Sequence, residues 1–145
     1  MTRTIKFRGK RMDDTEYNGK WVYGYYVFYP EDNKAIIETY ACKDIVDPET
    51  IGQFIGLRDI NDKEIYEDDI CKVIDPMGDE DTLCIVEWNP FAVAYTYEPE
   101  DGYGDYDSST IGWAMDLGFR FEVIGNIYDN PEWTGGGNKD EIRRS

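Results

Sequence analysis

The chain has 145 residues, 41% of them hydrophobic and 15% aromatic, with 12 Tyr and 4 Trp; it can bury a real apolar core as one domain or two small lobes, and disorder throughout is excluded. Its 15 basic and 31 acidic side chains give a formal net charge of −16, which repels a polyphosphate backbone and disfavours direct DNA or RNA binding. The opening MTRTIKF lacks the apolar run of a signal peptide, and nothing later approaches the roughly 20 apolar residues of a membrane helix, so a cytoplasmic protein without membrane contact is expected.

Thr4 to Arg8 reads as a short strand. Arg3, Lys6, Arg8, Lys10 and Arg11 all precede the first acid, Asp13, and internal charge pairing on a solvated face is the expectation for them. Trp21 to Tyr29 is a longer strand that places Trp21, Tyr23, Tyr25, Val27 and Tyr29 on one face. The turn chemistry of Tyr29-Pro-Glu-Asp-Asn-Lys34 then closes a hairpin with a strand over Ala35 to Tyr40.

Asp47-Pro48-Glu49 starts a short helix near 48–53, because Asp47 can cap, Pro48 fits the first helical position and Glu49 suits the positive helix end. Phe54 to Leu57 is a strand, Asp59 to Lys63 a turn, and Glu64 to Ile74 a strand with a bend. Leu83 to Trp88 is next, ended by Asn89-Pro90, and Ala92 to Tyr97 returns antiparallel to it. Glu98 to Ser109, rich in Gly, Tyr and acids, is a long exposed loop. Trp113 to Met115 and Phe119 to Ile124 are the last strands, and 134–145 is a flexible tail by composition. No helical pattern reaches 12 residues, so the chain is mainly β with at most one or two short helices.

Chemistry is scarce in this inventory. There is no His, and the serines are Ser108, Ser109 and Ser145, so nucleophile-and-base catalysis of the common kind has no components. Gly102-Tyr-Gly104 is flanked by acids that would repel a phosphate. Cys42, Cys71 and Cys84 form no CxxC pair and sit among apolar neighbours, which predicts reduced, buried thiols. Glu67, Asp68 and Asp69 are the densest carboxylates near a strand, and a solvated edge that resists strand pairing accounts for them. Glu98, Glu100, Asp101, Asp105 and Asp107 lack the spacing of a calcium loop. No catalytic residue, cofactor or metal ligand is therefore expected.

What remains is a candidate partner-binding surface: Tyr95, Tyr97, Tyr103, Tyr106 and Trp113 around the acidic loop, with Asp101 and Asp105 in it. Rings in such a groove give contact area at low entropy cost. Tyr95 and Trp113 serving as core residues is the competing reading.

Three stretches, Val46-Asp-Pro-Glu-Thr-Ile-Gly-Gln-Phe54, Gly56-Leu-Arg-Asp-Ile-Asn-Asp-Lys-Glu-Ile-Tyr-Glu-Asp-Asp-Ile70 and Phe121-Glu-Val-Ile-Gly-Asn-Ile-Tyr-Asp-Asn-Pro-Glu132, resemble the signatures of the YopX family of phage and prophage proteins. Ile5-Lys-Phe-Arg8 and Lys20-Trp-Val-Tyr-Gly24 match the family's start. The resemblance implies a bacteriophage or prophage origin, hence the cytoplasm of a bacterial host, and brings no activity with it. It also implies an SH3-like β-barrel over 58–133, behind an N-terminal β-hairpin lobe over 1–57. The family usually has Gly where this chain has Asp68 and an Asn-Gly turn where it has Asn61-Asp62. Asp tolerates positive φ, so both turns are expected to persist. Gly125-Asn126 is expected to form a bulge that closes the barrel.

The reading that follows is a non-enzymatic phage accessory module that binds a host or phage protein. A nucleic-acid-binding small barrel using the basic first strand is one alternative; a carboxylate enzyme using a divalent metal is the other. A homo-oligomer through edge strands is compatible with all three.

Overall fold

The computed structural model describes residues 4–78, 82–89, 94–99 and 109–134, and for 94–99, 109 and 134 the backbone alone is described. Two compact units divide the chain, Met1–Gly56 and Leu57–Ser145.

The first unit contains β1 (Phe7–Lys10), β2 (Trp21–Tyr29), β3 (Lys34–Glu38), β4 (Lys43–Val46), a 3-10 helix (Pro48–Thr50) and the start of β5 (Gly52–Arg58). Its strands are antiparallel in the order β4-β3-β2-β1-β5. The β2–β3 hairpin turns at Asn33, whose φ of 50° is a left-handed conformation that Asn adopts more readily than most residues. The Asp47 side chain accepts from the Glu49 N–H at 3.0 Å and Pro48 opens the 3-10 helix, as the cap chemistry requires. Alternation decides the faces. Ala35, Ile37 and Val46 are buried with Phe7, Val22, Tyr26 and Ile51 packed against them, while Tyr23, Tyr25 and Tyr29 stand on the opposite, exposed face. Beyond β1 the chain bridges back to β4 through Arg11 and Val46, with Met12 N–H donating to the Ile45 carbonyl at 2.9 Å, which curls the sheet around that core.

The second unit holds β6 (Glu64–Tyr66), β7 (Asp69–Ile74), β8 (Thr82–Asn89), β9 (Ala94–Pro99), β10 (Ser109–Thr110), α1 (Ile111–Asp116), β11 (Arg120–Asn126) and a 3-10 helix (Pro131–Thr134). The antiparallel order is β10-β9-β8-β7-β11. Strand β7 lies inside the sheet, and its consecutive residues Ile70 and Cys71 are both buried, so both its faces are covered there. The β11–β7 register shifts between Val123 and Gly125, the expected bulge.

The chain is thus mainly β, with two antiparallel sheets and little helix. Several sequence expectations are corrected. Among the described residues no pairing joins β10 to β11 and no closed barrel is formed, so of the small SH3-like barrel expected for 58–133 the antiparallel β ladder is shown and the SH3-like detail is not. Trp113 to Met115 is not a strand but lies in α1, because Thr110 caps the segment by accepting from the Trp113 N–H at 3.3 Å, and Gly118 at φ 96° stops it. Glu64 to Ile74 is two strands separated by a turn in which Asp68 has φ 69°. Cys42 is exposed rather than buried, since the β3–β4 turn that carries it projects from the sheet; Cys71 and Cys84 are buried and free.

Candidate interaction surfaces

The residues singled out from sequence fall into three groups. Tyr95 and Tyr97 lie in β9, registered opposite Trp88 and Val86 of β8, with Tyr97 also opposite Ser109 of β10. Asp101, Tyr103, Asp105 and Tyr106 lie outside the described residues. Trp113 is on α1 and 58% exposed, which removes the reading of it as a core residue.

Helix α1 owes its orientation to Ile111 and Ala114, three positions apart and both buried. The opposite side is left to Trp113 and Leu117, four positions apart, both largely exposed. The helix ends against the turn after β7: a side-chain carbon at Gly118 would stand 3.3 Å from Pro76 Cβ. Met77, one residue beyond Pro76, is exposed, as is Trp88 of β8. Of these exposed side chains Trp113 was singled out from sequence, whereas Leu117 was missed because the helix that it ends was not recognised.

The carboxylates of the Asp59–Asp69 region have a different job. Asp59 accepts from the N–H groups of Asn61 and Lys63 at 2.8 Å and, through its other oxygen, from Val123 N–H at 2.9 Å. Asp68 accepts from the Tyr128 hydroxyl at 2.9 Å, its own N–H donates to the Val86 carbonyl at 2.8 Å, and its carbonyl receives Ile127 N–H at 3.1 Å. Asp69 accepts from Tyr66 N–H at 2.7 Å. Asp68 and Asp69 are each 1% exposed, so the solvated edge expected for them is corrected: they are buried acceptors beside a strand paired on both sides. Burial is offset by the Tyr128 hydroxyl donating to Asp68 Oδ2 and the Tyr66 N–H donating to Asp69 Oδ2. Among the described residues no group of three His, Cys, Asp or Glu side chains is placed to hold a metal ion.

Polar contacts organise the basic start of the chain as well. Arg11 pairs with Asp13 at 2.8 Å and with Asp44 at 3.8 Å. Arg8 and Lys10 lie over the Trp21 ring at 4.6 and 5.4 Å, and Arg11 and Lys20 flank Tyr17 at 5.2 and 5.6 Å. Asp13 also accepts from the Thr15 hydroxyl and N–H, and these bonds hold its carboxyl below the usual carboxylate range.

Charge divides unevenly. Residues 1–56 carry 8 basic and 9 acidic side chains, a net of −1, whereas residues 57–145 carry 7 and 22, a net of −15. No described helix is long and apolar enough to cross a membrane.

Solved structures resemble the chain, two of them over nearly its whole length. A protein from Enterococcus faecalis, EF1440, superimposes with a TM-score of 0.55 at 20% identity, covering 92% of this chain and 99% of its own. The protein yopX from Bacillus subtilis does so with a TM-score of 0.55 at 18% identity, covering 91% and 98%. At those identities the likeness is one of fold. No curated protein matches the chain significantly. The family model described as YopX protein matches residues 6–133, nearly the whole of both units; the chain belongs to the YopX family.

Proposed function

We propose that the chain is a non-enzymatic binding module of a phage or prophage, acting in the cytoplasm of a bacterial host, whose second unit engages a basic host or phage protein. The observation that carries this reading is the charge division: 15 of the 16 net negative charges belong to residues 57–145. A unit of that charge attracts a basic partner from a distance and repels nucleic acid, so it favours partners whose own basic surface serves to hold phosphates. The exposed rings of Trp113 and Trp88, with Leu117, supply the desolvated anchors that charge alone lacks, since binding energy concentrates in buried aromatic contacts. The phage setting rests on the family resemblance alone.

The test is affinity capture from nuclease-treated host lysate by the intact chain and by a Trp113→Ala/Leu117→Ser double variant, both checked for the same thermal midpoint. The expected result is a basic protein retained despite nuclease, released by moderate salt, and bound roughly ten-fold more weakly by the variant. Retention that disappears with nuclease would give the surface to nucleic acid instead, and equal capture by both chains would remove the helix from the interface.

A further inference from the structure

We propose that the outer face of the β2-β3-β4 sheet in the first unit is the interface of a symmetric homodimer. The register fixes three rows across that face. Tyr29 and Lys34 form the first; Val27, Ile36 and Ile45 the second; Tyr25, Glu38 and Lys43 the third. The core lies on the other side of these strands, so this face has no apolar layer of its own, yet Tyr25 is 67% exposed, Tyr29 47% and Ile45 38%. Three large apolar side chains left in water on one sheet face, around the half-buried Val27 and Ile36, mark a surface built to be covered.

The pattern identifies the occupant. Lys34 and Glu38 stand on the same strand, two positions either side of Ile36, roughly 7 Å each way. A twofold axis lying along the Val27-Ile36-Ile45 row turns the first row onto the third. Each copy's Lys34 then meets the Glu38 of the other, Tyr29 meets Tyr25, and the apolar row meets itself. A partner face of one sign would leave either Lys34 or Glu38 unmatched, whereas a copy of the same face matches both. The existing Glu38–Lys43 pair, 3.9 Å long and largely exposed, is too weakly held to compete. Face-to-face sheets pack about 10 Å apart with strands aligned to within about 30°, a geometry that the antiparallel twofold satisfies. The first unit is also the nearly neutral one, at net −1, so its own charge does not oppose the pairing.

Sedimentation of the full chain over a wide concentration range tests this. The expected result is a reversible monomer–dimer equilibrium, weakened about ten-fold or more by Lys34→Glu and equally by Glu38→Lys, and restored in the Lys34→Glu/Glu38→Lys double variant. These substitutions are at solvent-facing positions, so the fold should survive them, and the thermal midpoint checks that it does. Disulfide trapping in a Cys42→Ser background supplies a second readout. Ile36→Cys, near the axis, should link to its own copy, and Lys34→Cys should link to Glu38→Cys when the two variants are mixed but not to itself. A chain that stays monomeric throughout, a double variant that fails to recover dimerisation, or Lys34→Cys that self-links as readily as Ile36→Cys overturns the proposal.

Discussion

At the residue scale, the second unit is organised by acids that do no chemistry. Asp59 is the clearest: one carboxylate accepts from two N–H groups of its own turn and from Val123, which is 64 positions away in sequence. Removing it leaves three backbone donors without that acceptor, each such loss costing on the order of 1–3 kcal/mol when water cannot substitute. Asp59→Ala should therefore lower the unfolding free energy by about 3 kcal/mol, read as a shifted urea midpoint at unchanged slope, with Asp59→Asn intermediate because one acceptor oxygen survives. An Ala variant as stable as the parent would show that the carboxylate does not tie the turn to β11. The left-handed residues Asp62 and Asp68, at φ 63° and 69°, were legible from sequence because both stand where the family uses glycine and Asp tolerates positive φ. The burial of Asp68 and Asp69 was not legible. An acid in sequence reads as solvated, and its donors, the Tyr128 hydroxyl for Asp68 and the Tyr66 N–H for Asp69, become visible only in three dimensions.

At the element scale, sequence reasoning succeeded where the period was two and the turn chemistry local. Strand β2 has the bounds that alternation assigns to it, the hairpin turns where Pro30 to Asn33 allow, and Asp47-Pro48 opens a helical turn. It failed at α1, because six residues are too few to display a helical period and Trp113 and Met115 fit a strand equally well. The signals that could have found it are Thr110 as a cap, Ile111 and Ala114 at helical spacing, and Gly118 as a stop. Barrel closure in the second unit was an inference from the family, and the sheet order does not support it among the described residues. Pairing of β7 with β8 also sets Cys71 directly opposite Cys84. A hydrogen bond with Cys84 and then burial push the Cys71 thiol far above its usual range, which holds it protonated and unreactive. Iodoacetamide under mildly alkaline native conditions should thus add one adduct, at exposed Cys42, and three after denaturation. Two rapid native adducts would mean that the β7–β8 ladder opens locally.

At the scale of the whole molecule, the governing fact is that charge is unequally shared between the units. Like charges confined to residues 57–145 repel one another in the folded state, and salt screens them over about 10 Å at 0.1 M. The thermal midpoint should accordingly rise between low and physiological ionic strength, and a midpoint independent of salt would show that local ion pairs already balance the unit's charge. None of this was visible in composition, which reports a single net charge; it needed the boundary at Gly56.

The strand order of the second unit has a consequence for how the chain is made. Every strand partner in the β4-β3-β2-β1 part of the first sheet is available once residue 46 has emerged from the ribosome, so that region can fold while synthesis continues. The second unit must wait: β7 pairs with β11, which ends at Asn126. Until then the nascent chain holds an unpaired edge on a strand destined for the middle of a sheet, a form of exposure that invites association with other chains. Slow translation through residues 75–126 would lengthen that interval, and a chaperone that shields β7 would have its greatest effect there.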